Sequence, residues 1–228
     1  MTIHRPSVVV LLVLTGAISA ALSGCKYSRS RSPLDMEVRS DTGALSISKM
    51  GGGIDVAEAP HGATLTTMGG GIHLGNVAVF AKVKTMGGGI DIDRSTGTVD
   101  ATSMGGGITI GTANGPIKAN TMGGDIKVRE VGSSSQERDI ELKSKGGTIE
   151  LTVPKDFPMD VRIVLAYTRT FRDYHIVQNA GLEVRETNEW DTSDGTPRKY
   201  IRAAGRVGSG QNHVEISTIN GDVILKQE

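Results

Sequence analysis

The chain has 228 residues, with 25 Lys and Arg against 25 Asp and Glu, one cysteine, and only 4% aromatic residues. Balanced charge leaves no basic surface to hold nucleic acid, and so few aromatics make no stacking platform for single strands. A lone cysteine has no intramolecular disulfide partner, and the length suits one all-β domain.

Residues 1–24 read as a signal peptide. Arg5 gives a short positive start, Val8 to Leu22 is mainly apolar, and small residues follow. The end of this segment, Leu22-Ser23-Gly24-Cys25, resembles the lipobox of bacterial lipoproteins. That resemblance implies cleavage before Cys25, acylation of its sulfur, and stable membrane anchoring by two or more acyl chains. Lys26 stands where an Asp retains enteric lipoproteins at the inner membrane. The resemblance therefore implies the outer membrane of a cell that has two, facing either the periplasm or the surface. Residues 25–35 are polar and basic, expected as a solvated tether, with contact to anionic headgroups as the second reading.

Residues 36–153 are organised by a repeat. Met-Gly-Gly-Gly-Ile begins at Met50, Met68, Met86 and Met104, and Met-Gly-Gly-Asp-Ile at Met122, each 18 residues after the last. A fixed period of this size marks a solenoid whose units stack on one another. Ile54, Ile72, Ile90, Ile108 and Ile126 form one apolar column, and Val56, Leu74, Ile92, Ile110 and Val128 a second, with mostly polar residues between. That alternation is a strand with one buried face. A second strand in each unit carries inward pairs such as Ala63 and Leu65, or Ala81 and Val83, and Leu45 and Ile47 fit one turn earlier. Glycine, free to adopt positive φ, is expected to make one corner, and Asn-Gly-Pro-type chemistry the other. The predicted fold is an all-β, single-stranded β-helix of 18-residue coils, right-handed as parallel crossovers generally are. Six to eight rungs at ~4.8 Å make a rod of roughly 30 to 40 Å.

Residues 129–139 are a Ser-rich bulge with five extra residues, after which Ile140, Leu142, Ile149 and Leu151 rejoin the columns. Residues 154–210 differ in composition and hold most of the aromatics. They are expected to form a β cap of longer strands, one over Met159 to Tyr167 and another over Lys199 to Val207, covering the end of the core. Residues 211–228 return to the pattern: Val214, Ile216, Val223 and Leu225 make a closing rung.

Candidate chemistry is sparse. The methionine column Met50, Met68, Met86, Met104 and Met122 is expected to fill a corner of the core. Counting forward from Ile47 instead turns it outward as an exposed contact stripe. Thioethers suit Cu(I), but Ile219 and Lys145 occupy the same place in other rungs, so no metal is expected. The column Asp55, His73, Asp91, Thr109, Lys127 is too mixed for calcium. Thr67, Thr85, Ser103 and Thr121 are placed to bond turn backbone. The histidines have no companion nucleophile or metal-spacing motif, so no catalytic residue and no cofactor are assigned.

The rungs, cap and closing segment Thr218 to Val223 (Thr-Ile-Asn-Gly-Asp-Val) together resemble the bacterial adhesin-like β-solenoid domain of unknown function, over roughly Met36 to Lys226. Its members are often secreted or lipid-anchored, and no family site residues carry over. The resemblance implies a non-catalytic envelope binding or scaffold module. Its expected partners are the membrane, through lipidated Cys25, and an envelope protein or glycan. An envelope-integrity or stress-associated structural lipoprotein is the alternative, and a carbohydrate-active β-helix enzyme the least favoured reading.

Overall fold

The structure is a computed structural model and describes residues 26–27, 36–41, 43–132, 138–169, 173–193 and 195–228. Short strands β1 (Lys26–Tyr27) and β2 (Met36–Asp41) come first. Strands then alternate between two sheets: β3 (Ala44–Lys49) and β4 (Ile54–Ala59), β5 (Ala63–Thr67) and β6 (Ile72–Val77), β7 (Phe80–Thr85) and β8 (Ile90–Ser95). The alternation continues with β9 (Thr98–Ser103) and β10 (Ile108–Ala113), β11 (Ile117–Thr121) and β12 (Ile126–Glu130), β13 (Ile140–Ser144) and β14 (Ile149–Val153). The excursion adds β15 (Met159–Thr168), β16 (Ile176–Gln178), β17 (Glu183–Glu186) and β18 (Arg198–Val207), and the chain closes with β19 (Asn212–Ile219) and β20 (Val223–Gln227).

The molecule is a β-solenoid. One sheet has the order β1-β4-β6-β8-β10-β12-β14-β20-β16, the other β17-β18-β15-β19-β13-β11-β9-β7-β5-β3-β2. Successive rungs pair in parallel and in register, Ile54 with Ile72, Ile72 with Ile90, and Ile90 with Ile108. Both apolar columns are buried, and the second strand contributes Leu65, Val83, Val99 and Ile117 from the opposite wall. Each such side chain stabilises the fold by about 1.5–3 kcal/mol when fully buried, and no single coil shields it alone.

The glycine corner works differently from the sequence expectation. Among the Met-Gly-Gly turns only Gly52, in the first, has positive φ, at 76°. What the middle glycine supplies in the later turns is close backbone approach. A Cβ on Gly70, Gly88, Gly106, Gly124, Gly147 or Gly221 lies 2.1–2.4 Å from backbone atoms of the preceding rung. The third position is less tight, with a Cβ on Gly53, Gly71, Gly89 or Gly107 lying 2.9–3.3 Å from a carbonyl oxygen of the following rung, and Asp125, Thr148 and Asp222 stand there in later rungs.

The carbonyls of the middle glycines Gly52, Gly70, Gly88, Gly106, Gly124 and Gly147 are satisfied from the next rung. Thr67, Thr85, Ser103, Thr121, Ser144 and Thr218 are buried, and each hydroxyl donates to one of them at 2.6–2.9 Å. The hydroxyl column therefore bonds turn backbone as its sequence suggested. In the first rung Lys49 takes the place and donates its ammonium to the Gly53 carbonyl at 2.8 Å. Burial lowers its pKa.

Three of the four sheet edges end in antiparallel pairs, and at the fourth the short β16 lies parallel on β20. β2 runs antiparallel to β3, and β1 antiparallel to β4. At the other end β19 and β20 stack on β13 and β14 as the closing rung. β15 then lies parallel outside β19, and β18 runs antiparallel to β15. The excursion is thus the outer layer, and the last rung in sequence lies inside it. Val161, Ile163 and Leu165 extend the buried wall onto Val214 and Ile216. A free parallel edge is a template for another chain, and β18 covers that of the eleven-stranded sheet.

Candidate functional site

The methionine column faces outward. Met50 is 64% exposed and Met68, Met86, Met104 and Met122 are 43–48% exposed, so the expected core filling is incorrect. The reason is local. The preceding Thr67, Thr85, Ser103 and Thr121 point inward, and strand alternation sends the next side chain out. Counting back from Ile54 fails because the glycine turn interrupts the period of two. Amides of Met68, Met86 and Met104 each donate at 3.2 Å to the carbonyl of Lys49, Thr67 and Thr85 in the rung before, holding the column in register. The column thus steps by one rung, ~4.8 Å at the backbone, and exposed Lys145, whose amide donates to the Thr121 carbonyl, continues it. An aspartate at position 86 is solvated here. Met86→Asp is expected to shift stability by no more than about 0.5 kcal/mol, and a loss of several kcal/mol on denaturation would contradict the exposed placement.

A second feature lies in the cap. An open cavity of about 550 Å³ is lined by Tyr167, Tyr174, His175, Glu186, Trp190 and Ile201, among others. Tyr167 and Trp190 meet edge to face, with centroids 5.9 Å apart and an interplanar angle of 73°. Arg169 and Lys199 stand 5.0 and 5.4 Å from the Trp190 ring. The Tyr167 hydroxyl donates to the Glu186 carboxylate, and that bond pushes the phenol up to about 12. Aromatic faces beside fixed charges suit a polar ligand with apolar patches. The aromatics of 154–210 were legible in the sequence as a cap, whereas their convergence on one cavity depends on β15 and β18 lying side by side.

A buried acid, Glu130, stands at the end of β12. Glu130 is 18 residues after Thr112, yet a register shift pairs it with Ala113 and turns it inward. Its Oε1 accepts the Gly132 amide at 2.8 Å, and the Arg138 Nε stands 3.9 Å away. Burial raises the Glu130 carboxyl to about 7 against the pull of the Gly132 amide and the Arg138 charge. On the solenoid face, His73 is paired with Asp55 at 3.1 Å and lies 3.4 Å from Asp93. The Asp55 hydrogen bond, ahead of the Asp93 contacts, raises the His73 pKa.

Cys25, the signal segment 1–24 and tether positions 28–35 lie outside the described residues. Among the described residues no helix is long and apolar enough to cross a membrane, and no group of three or more His, Cys, Asp or Glu is placed to hold a metal ion. Comparison of the chain with protein-family models, curated proteins and solved structures finds no match.

Proposed function

We propose that this chain is a lipid-anchored β-solenoid of the cell envelope, acting as a non-catalytic, adhesin-like binding or scaffold module. The observation that carries the reading is the exposed methionine ladder. Other outward columns vary freely: Thr64, Lys82, Asp100 and Lys118 on one face, and Asp55, His73, Asp91 and Thr109 on the other. Five identical apolar side chains in solvent serve no fold requirement, since Lys145 occupies the same place without loss of stacking. Flexible, polarizable methionines suit an adaptable contact surface. The membrane is reached through lipidated Cys25, and the partner is an envelope protein or glycan.

Two measurements test the two halves of this reading. Cys25→Ser is expected to move the protein from the membrane to the soluble fraction of lysed cells, and unchanged fractionation would overturn the anchor. The soluble Cys25→Ser protein is then mixed with isolated envelopes. Saturable cosedimentation that Met86→Asp weakens supports the contact role. No cosedimentation would instead favour a structural lipoprotein without an external ligand.

A further inference from the structure

The geometry points to the methionine ladder as a binding site for a soft monovalent metal ion, Cu(I) or its stand-in Ag(I). The inference stands apart from the lipid anchor and from the envelope partner. Thioether sulfur is a soft, neutral donor that suits Cu(I) and has little affinity for hard cations. A ladder meets the further need of several donors around one ion. Register-locked amide bonds at Met68, Met86 and Met104 place consecutive methionines one rung apart, ~4.8 Å at the backbone. Each side chain has three rotatable bonds, so sulfurs of two or three neighbouring rungs can close on one ion without moving the backbone. Access is open, because the flanking positions Gly69, Gly87 and Gly105 carry no side chain and face solvent.

Two observations separate a ligand ladder from incidental methionines. The side chains are exposed, so core volume does not explain them. Position by position through the same five rungs, the outward side-chain columns have diverged in size and charge, while this one is methionine throughout. Duplication of the unit alone would have left the neighbouring columns equally uniform. Lys145 and Ile219, in later rungs, lie beyond Met122 and bound the ladder at one end. Two cations stand beside it: Lys49, one residue before Met50, whose ammonium is donated to the Gly53 carbonyl, and Lys84, two residues before Met86; a monovalent ion held by neutral sulfurs tolerates them better than a divalent one.

The test uses the full chain carrying Cys25→Ser, which removes the one thiol that would itself take a soft metal. Ag(I), and Cu(I) delivered under reducing conditions, are titrated in competition with a chromophoric Cu(I) chelator, and Zn(II) is titrated in parallel. The expected result is saturable binding of at least one soft ion, with sulfur scattering in X-ray absorption and no comparable Zn(II) binding. The triple variant Met68→Leu, Met86→Leu, Met104→Leu keeps apolar bulk and removes sulfur. It is expected to retain the wild-type melting curve and lose affinity by more than about tenfold. Unchanged affinity in the triple variant, or no binding by the parent, overturns the proposal. Because leucine preserves an apolar contact surface, loss of metal with retained envelope cosedimentation also separates this site from the partner-binding reading.

Discussion

Gly124→Ala is expected to cost about 4 kcal/mol or more and to leave a chain that unfolds at far lower denaturant than its parent. The added Cβ has nowhere to go. Its ideal position lies 2.3 Å from the Gly107 nitrogen and 2.4 Å from the Gly106 carbonyl carbon, both backbone atoms that cannot rotate aside. Relief requires the two rungs to part, and parting breaks the inter-rung ladder and the Thr121 hydroxyl bond to Gly106 on the same corner. Overpacking of side chains alone costs about 1–3 kcal/mol, so backbone against backbone exceeds it. Gly123→Ala is the internal control: its Cβ meets nothing nearer than the Gly105 carbonyl at 3.6 Å, an ordinary contact. Equal stability of the two variants by urea denaturation would show that the turns do not stack as closely as described.

Glu130→Gln is expected to stabilise the protein at pH 8 by up to about 3 kcal/mol and to change little at pH 5. The folded carboxyl titrates at about 7 instead of 4.5, with burial as the main cause. Between those values the folded state holds a proton that the unfolded state has released. Stability therefore falls as pH rises from about 4.5 to about 7, and stays low above it. Glutamine mimics the protonated acid at every pH and removes that slope. Among the described residues, the Glu130 Oε2 has no hydrogen-bond partner. Melting temperature measured from pH 5 to pH 8 for both proteins decides the matter. A variant that is less stable than its parent at pH 8 would mean that the pair with Arg138 keeps Glu130 ionised.

The solenoid was legible from columns because its stacking repeats one local rule. Ile54, Ile72 and Ile90 recur at the same offset, and in-register parallel pairing then places them together without any long-range information. That the Thr and Ser column bonds turn backbone was legible beside the glycines, but its inward placement was not, because inward methionines implied the opposite phase. The glycine turn was located correctly but for the wrong cause. Sequence shows that glycine is required, and only the distance between rungs shows that a missing Cβ, and not positive φ, is what the later turns need.

By itself the sequence determined the fold class, the unit length and which strand faces turn inward, since each depends on side-chain alternation within one coil. Tertiary structure alone decided what depends on how one coil meets another. It sent the methionines outward, where the turn erased the phase of the alternation. It slipped Glu130 by one residue onto Ala113 and buried it, because a bulge changes register without changing composition. It set the closing rung β19–β20 inside the cap and gathered Tyr167, Trp190 and Glu186 around one cavity. These contacts join residues far apart in the chain, and no periodicity encodes them.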